Sequence, residues 1–270
     1  MQVKKIILVA LVLIFSVVTN AQKRELTPKE LKKAANKESI NKLIKQEEEG
    51  AIIFQKQSIF GIKLNSDGYS AFLELGRMQT PRKANLYSLE LGERKHPKEE
   101  KRYDGLTSFG IGNPYVFGKI NNFYYAKFGF GQQRLIGGKG NKNGVAVSAL
   151  YGGGFSAGLL KPYYIRVNDP RSNQPKEIKY TNNDSLFLQA DLITGAGGFG
   201  KGFNEMKFTP GVFVKTALRF DYGRYNEVVS AVDVGLNVEY YTSKMPILLR
   251  NKERQLFFNA YVAIVFGKRK

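Results

Sequence analysis

His96 is the only histidine of the chain, and it stands in a run of charges, Glu93-Arg94-Lys95-His96-Pro97-Lys98-Glu99-Glu100-Lys101-Arg102. Acid–base work near neutral pH falls most often to histidine, paired with a hydroxyl or carboxylate within hydrogen-bond reach. His96 with Ser108 or Asp104 is therefore the most plausible pair for hydrolysing an acyl or peptide bond. The surroundings lend it no support. We expect no Gly-x-Ser-x-Gly elbow, no histidines at metal-ligand spacing and no phosphate loop. Gly137-Gly138-Lys139-Gly140 resembles a phosphate cradle only in composition, because no helix start follows, and it reads as a flexible external loop. The chain has no cysteine, so disulfides, thiolate metal sites and a lipoprotein anchor are ruled out. The reading is not an enzyme, with no cofactor and no metal; a hydrolase acting through the His96 loop stands third among the functional alternatives.

A larger set of charges points elsewhere. From Val228 to Tyr241 the residues alternate at period two: Val228, Val232, Val234, Leu236, Val238 and Tyr240 share one face, and Ala231, Asp233, Gly235, Asn237 and Glu239 the other. Val212 to Tyr222 repeats the pattern, with Lys215, Ala217, Arg219 and Asp221 opposite Val212, Val214, Thr216, Leu218, Phe220 and Tyr222. A charge buried in a soluble sandwich would cost several kcal/mol without a partner. In a membrane barrel the same positions face a polar lumen. Lys63, Glu74, Glu90, Lys127, Lys215, Arg219, Asp221, Asp233 and Glu239 fall on that predicted lumen face. Their signs nearly balance, so we expect them to pair across a narrow, side-chain-filled interior. A small-solute channel is the alternative.

These charges need strands to carry them. No mature segment has the eighteen or so successive apolar residues of a spanning helix. We expect an all-β, antiparallel up-and-down transmembrane β-barrel of about ten strands: 58–65, 69–78, 85–93, 113–120, 122–133, 143–151, 155–167, 210–222, 226–241 and 255–266. Eight or twelve strands also fit, because 113–120 is brief and a further hairpin around 185–194 is conceivable. With the first strand running outward, residues 79–84, 121, 152–154 and 223–225 become short periplasmic turns. Residues 66–68, 94–112, 134–142, 168–209 and 242–254 become external loops. Short turns on one side and long loops on the other is the asymmetry of such barrels. Tyr163, Tyr164, Tyr222, Tyr225, Tyr240 and Tyr241 near strand ends suit a headgroup boundary.

The start of the chain reads as an export signal. Lys4 and Lys5 precede an apolar run from Ile6 to Val18, and Thr19-Asn20-Ala21 offers small residues for cleavage after Ala21. Removing residues 1–21 takes two lysines from the formal charge of +19, leaving about +17. For an exported chain, anionic lipid and lipopolysaccharide are better partners for that charge than nucleic acid, which we do not expect to be bound. Residues 22–57 form a periplasmic segment, where Thr27-Pro28-Lys29-Glu30 is a capping box with proline at the first helical position. Residues 58–270 form the barrel. Its closing strand, Gln255 to Phe266, carries the aromatic-ended pattern of an assembly signal, with Tyr261, Ile264 and Phe266 as the residues read by the barrel-assembly machinery.

The signal end Thr19-Asn20-Ala21-Gln22, the tract Gly158-Leu159-Leu160-Lys161-Pro162-Tyr163-Tyr164 and the close Tyr261-Val262-Ala263-Ile264-Val265-Phe266 resemble small outer-membrane barrels of the Bacteroidota, the flavobacterial type. The resemblance implies a Gram-negative outer membrane and a structural or accessory role in assembly, secretion or the envelope, with a larger envelope complex as a further partner. Gly267-Lys268-Arg269-Lys270 departs from the commoner end on the aromatic itself.

Overall fold

The computed structural model describes residues 32–33, 36–37, 54–103, 113–140, 143–170, 172, 174–181 and 185–270. The chain divides into two units, Met1–Lys45 and Gln46–Lys270. In the first, the described residues are helical; the signal sequence and its cleavage point lie outside the described residues.

In the second unit, β1 (Lys56–Asn65), β2 (Gly68–Thr80) and β3 (Lys83–Arg94) form a meander. A two-residue ribbon follows, β4 (Lys101–Arg102) with β5 (Tyr115–Val116). The long strands β6 (Asn121–Gly137) and β7 (Ala146–Pro162) continue the meander. A small sheet of β8 (Tyr164–Asn168), β9 (Pro175–Lys179) and β10 (Ile193–Ala196) interrupts it in the order β10-β8-β9. Then β11 (Lys207–Asp221), β12 (Val228–Met245) and β13 (Arg254–Arg269) complete the wall, and β13 pairs with β1. The result is a closed, antiparallel, up-and-down barrel of eight strands.

Eight replaces the expected ten for two physical reasons. Residues 143–151 and 155–167 were read as separate strands joined by a turn at Gly152-Gly153-Gly154. In the structure these glycines lie inside β7 and face Gly131, Phe130 and Gly129 of β6 in unbroken register. They serve close approach, not chain reversal: a Cβ on Gly154 would lie 2.0 Å from the Phe128 carbonyl oxygen, and one on Gly152 2.6 Å from that of Phe130. The expected strand at 113–120 shrinks to β5, which turns at Gly118 (φ +72°) and stays outside the barrel.

The recount re-sorts the connections. The turn Ser66–Asp67 and the segments 95–120, 163–206 and 246–253 share one end, here the loop end. Residues 81–82, 138–145 and 222–227 share the other, the turn end. Gly138 to Gly140, expected on the external side, therefore lie at the turn end, and Asn121, expected as a turn, starts β6 at the loop end. The hairpin considered around 185–194 is two short helical turns, Leu186–Leu188 and Ala190–Leu192, running into β10.

Alternation sorts the wall into two faces as the sequence implies for β11 and β12. Val212, Val214 and Leu218 of β11, and Val234, Leu236 and Tyr240 of β12, are exposed outward. Phe155, Leu64 and Phe258 extend this apolar belt around the barrel. Inside, an apolar cluster of Ile59, Phe72, Leu86, Leu150, Ala217, Val229 and Val265 fills one part of the lumen. A mainly aromatic one of Phe123, Tyr125, Leu160, Tyr241, Met245 and Phe257 fills another. The buried charges complete the interior.

The glycine contacts predict an asymmetry. Gly154→Ala has no room and should destabilise the barrel by about 1–3 kcal/mol through overpacking. Gly140→Ala, with open space around its Cβ position, should leave stability unchanged. Urea unfolding of refolded protein, followed by the mobility difference between folded and unfolded barrel on unheated gels, checks both.

Candidate functional site

Strand alternation aims the charged side chains of seven strands at the same interior. Near the loop end, Arg94 at the end of β3 bridges Asp67 and Glu239, with nitrogen–oxygen distances of 2.7 Å to each. Its guanidinium lies over the Phe257 ring at 4.5 Å. Glu239 also takes Lys127 at 2.5 Å, accepts a hydrogen bond from the Tyr241 hydroxyl at 2.7 Å and one from Asn237. Lys127 reaches Glu90 at 3.4 Å, and Glu90 takes Lys63 at 2.5 Å and the Ser70 hydroxyl at 3.1 Å. One connected chain of ion pairs therefore runs Asp67, Arg94, Glu239, Lys127, Glu90, Lys63.

A second centre is Arg219. Its guanidinium grips Asp233 with two nitrogens at 2.8 Å each, the forked geometry that suits carboxylates, and Glu74 with a third at 2.8 Å. Its side chain is 1% exposed. Toward the turn end, Asp221 takes Arg269 at 2.5 Å and Lys139 at 3.6 Å. A chain of amides and hydroxyl, Gln57 to Gln133 to Ser148, lines the lumen beside it.

Of the nine residues the sequence places in the lumen, Lys63, Glu74, Glu90, Lys127, Arg219, Asp221, Asp233 and Glu239 are buried inside the barrel. Lys215 also points inward but is half-buried. It was expected to pair with a carboxylate; among the described residues its ammonium reaches only the Ser88 hydroxyl, at 3.3 Å. Four members escaped the sequence reading. Arg94 and Arg269 were assigned to a loop and a tail, although each keeps the inward parity of its strand, Arg94 with Glu90 and Arg269 with Tyr261. Asp67 sits in a two-residue turn and Lys139 in a loop, where alternation gives no signal.

The assembly-signal residues split between faces. Tyr261 is buried in the lumen beneath the Lys63 ammonium, 4.2 Å from the ring centroid, whereas Ile264 and Phe266 are exposed outward. The strand also continues to Arg269, past the expected end at Phe266.

Among the described residues no hydroxyl or carboxylate hydrogen-bonds the His96 ring. Its ring accepts a hydrogen bond from the Lys98 amide at 3.2 Å, and partial burial, with Arg254 nearby, holds its pKa below the ordinary value. Ser108 and Asp104 lie outside the described residues. One point of sequence needs correction: Gly154-Phe155-Ser156-Ala157-Gly158 does have Gly-x-Ser-x-Gly spacing. It sits in mid-strand, and Ser156 shares a 2.8 Å hydrogen bond with Tyr241 inside the lumen. That is no strand-to-helix elbow and has no histidine beside it. Among the described residues no group of three or more His, Cys, Asp or Glu could hold a metal.

Beyond the lumen, the loop end carries its own small core. Ile165 and Val167 of β8, Ile178 of β9, Ile193 of β10, Phe187 and Tyr115 pack together under the three-stranded sheet. On its polar side Glu177 takes Lys201 at 2.5 Å and Arg166 at 3.2 Å. Hydrogen bonding from Lys201, helped by Arg166 and the Gly198 amide, holds the Glu177 carboxyl below the usual range.

No family model and no curated protein matches the chain. Among solved structures it is similar to Neisserial surface protein A (NspA), at 8% identity and a TM-score of 0.39, over 80% of this chain and 96% of that one. It is similar also to the N-terminal β-barrel domain of Pseudomonas aeruginosa OprF, at 10% identity and 0.36, over 79% and 98%. A third is Ail, the attachment invasion locus protein of Yersinia pestis, at 10% and 0.36, over 81% and 100%. Likeness at that level says nothing of role; the architecture rests on the strands described above.

The geometry separates two lumen cations. Arg219→Met leaves Glu74 and Asp233 buried without their partner and should cost about 3–5 kcal/mol. Lys215→Met removes one hydrogen bond to a neutral hydroxyl and should cost no more than about 1 kcal/mol. Urea unfolding of the refolded variants in lipid vesicles measures the difference.

Proposed function

We propose that the chain is an integral outer-membrane β-barrel with a structural or accessory role, closed to diffusion and working through what it presents at its surface. One observation carries the reading. Glu74, Glu90, Asp221, Asp233 and Glu239 each lie within 2.8 Å of a lysine or arginine nitrogen inside the lumen. Charges so paired, with aromatic and apolar side chains above and below them, leave little open water path.

The membrane setting is supported by the outer wall. Phe60, Leu73, Phe128, Phe155, Val214, Leu236 and Phe258 all face outward and exposed, a distribution suited to lipid. Every strand of the barrel is paired on both sides, which the hydrocarbon layer demands of any spanning sheet. The long segments 95–120 and 163–206 put the loop end outside the cell and the turn end in the periplasm. Export by a signal removed after Ala21 fits this route, with the residues between Gln22 and the start of β1 at Lys56, two residues earlier than expected, as a periplasmic segment and β13 as the strand read during assembly. Lipopolysaccharide and a larger envelope complex are the partners this placement offers, and the Bacteroidota are the source that the sequence resemblance favours.

Two measurements test the reading. After cell fractionation the protein should stay in the outer-membrane pellet through carbonate and high-salt washes; recovery in the soluble periplasm overturns the barrel placement. In planar bilayers the wild-type protein should give no large steady conductance, while Arg219→Ala combined with Lys215→Ala should raise the current. A large steady wild-type current would replace this reading with a small-solute channel.

A further inference from the structure

The apolar belt ends along one line near the loop end. On β7 the outward residues Val147, Ala149, Tyr151, Gly153, Phe155, Ala157 and Leu159 give way to Lys161. On β6 Tyr124 stands opposite Leu159, and Asn122 opposite Lys161. On β11 Phe208, opposite Leu159, is 64% exposed. Lys161 is thus the first charged side chain beyond the belt on β7, and on β3 the outward Glu93, opposite Tyr124, marks the same edge.

A strap crosses that line. Residues 197–206 leave the small sheet after β10 and return to the barrel at β11, and they are fastened at several points. The Gly197 amide donates to the Tyr164 carbonyl at 2.8 Å, and the Tyr164 hydroxyl donates to Glu205 at 3.0 Å. Gly202 has φ +84°, and a Cβ there would meet the Pro162 carbonyl oxygen at 2.9 Å, so glycine lets the strap lie against the end of β7. Lys161 holds its middle. The ammonium donates to the Phe199 carbonyl at 2.6 Å and lies 4.4 Å and 4.2 Å from the ring centroids of Phe199 and Phe203.

The two rings are stacked edge to face, 5.7 Å apart, yet Phe199 is 76% exposed. A fixed pair of apolar rings left in water is unfavourable. Placed over the lysine that closes the belt on β7, the pair stands, on the bilayer reading, where lipid chains give way to headgroups. Amphipathic segments seat aromatic rings there, and lysines extend their ammonium groups toward phosphate. Lys201 and Lys207 are both exposed, Lys201 already paired with Glu177 and Lys207 on the inward parity of β11. The strap is tied to the sheet as well, through Lys201 and the Gly198 amide to Glu177 and through Lys179 to Glu205.

We infer that residues 197–206 are a membrane strap: Phe199 and Phe203 seat in the headgroup layer of the bilayer and so hold the β8–β10 sheet against the membrane surface. The partner is lipid, recognised by the two rings that the buried Lys161 holds in place. This inference rests on the bilayer reading of the barrel, and its test separates the two.

The chain has no tryptophan, so a single introduced one reports alone. Phe199→Trp and Phe203→Trp, with Phe155→Trp in mid-belt as reference, are refolded into phosphatidylcholine vesicles whose chains are brominated either close to the headgroup or close to the methyl ends. The expected result is loss of emission at positions 199 and 203 with shallow bromine and much less with deep bromine, while position 155 is quenched by the deeper label. Quenching at 155 with none at 199 and 203, and emission there open to aqueous acrylamide, overturns the strap and leaves the barrel in the bilayer. Deep bromine acting best at 199 and 203 overturns it too. Absence of lipid quenching at all three positions overturns the bilayer reading itself.

Discussion

Pairing of opposite charges in a space without bulk water is the constraint on which this barrel depends. Arg219 and Asp233 stand directly opposite each other in the register of β11 and β12, as do Glu90 and Lys127 in that of β3 and β6. Because side chains alternate at period two, a slip of one residue would turn each of these charges toward the outer wall and bring apolar residues into the lumen. The ion pairs and the apolar belt therefore specify the same register twice. Removing one partner is costly in a way that forming the pair is not rewarding, so the network acts mainly against misalignment.

Closure follows from the same logic. The seam between β1 and β13 is the one pairing in the barrel that joins the two ends of the sheet, and it runs from Gln57 opposite Arg269 to Asn65 opposite Tyr261. The residues past the last outward aromatic are part of it. The Lys270 carbonyl accepts from the amides of Gln55 and Lys56, and Arg269 delivers its guanidinium to Asp221 at 2.5 Å. A basic tail that looks like an appendage is thus the last part of the wall, and without it Asp221 would keep the Gly223 amide at 2.9 Å and, as its remaining cation among the described residues, Lys139 at 3.6 Å.

Much of this was legible in the sequence and some was not, for reasons that can be named. Alternation in 212–222 and 228–241 sorted inward from outward residues directly, because each segment is long and has charges at regular spacing. Strand number was misread where one residue type has two uses: glycine runs mark reversals, but here Gly152 to Gly154 face the glycines of β6 so that two backbones can approach. Lys215 illustrates a limit of another kind. Its face follows from parity, but its partner depends on which strands lie across the lumen, and that is set by strand number and stagger. Asp67 and Lys139 sit in connections, where no periodicity exists to be read, and Tyr261 was grouped with outward residues because the aromatic-ended pattern ignores parity.

Charge in the lumen is close to neutral. Inside, the cations Lys63, Arg94, Lys127, Lys139, Arg219, Arg269 and Lys215 nearly balance the carboxylates Asp67, Glu74, Glu90, Asp221, Asp233 and Glu239. The large positive excess of the chain is therefore not accounted for by these lumen groups. The loop end is the elaborate surface. Ile165, Val167, Ile178, Phe187 and Ile193 give its small sheet a core of its own, and the ion pairs of Glu177 and Glu205 lock it to the segment beside β7. Loops that merely closed the wall would need neither a core nor such fastening. The interior of the eight strands is filled by groups that hold the wall together, and the β8–β10 sheet at the loop end has a core and ion pairs of its own.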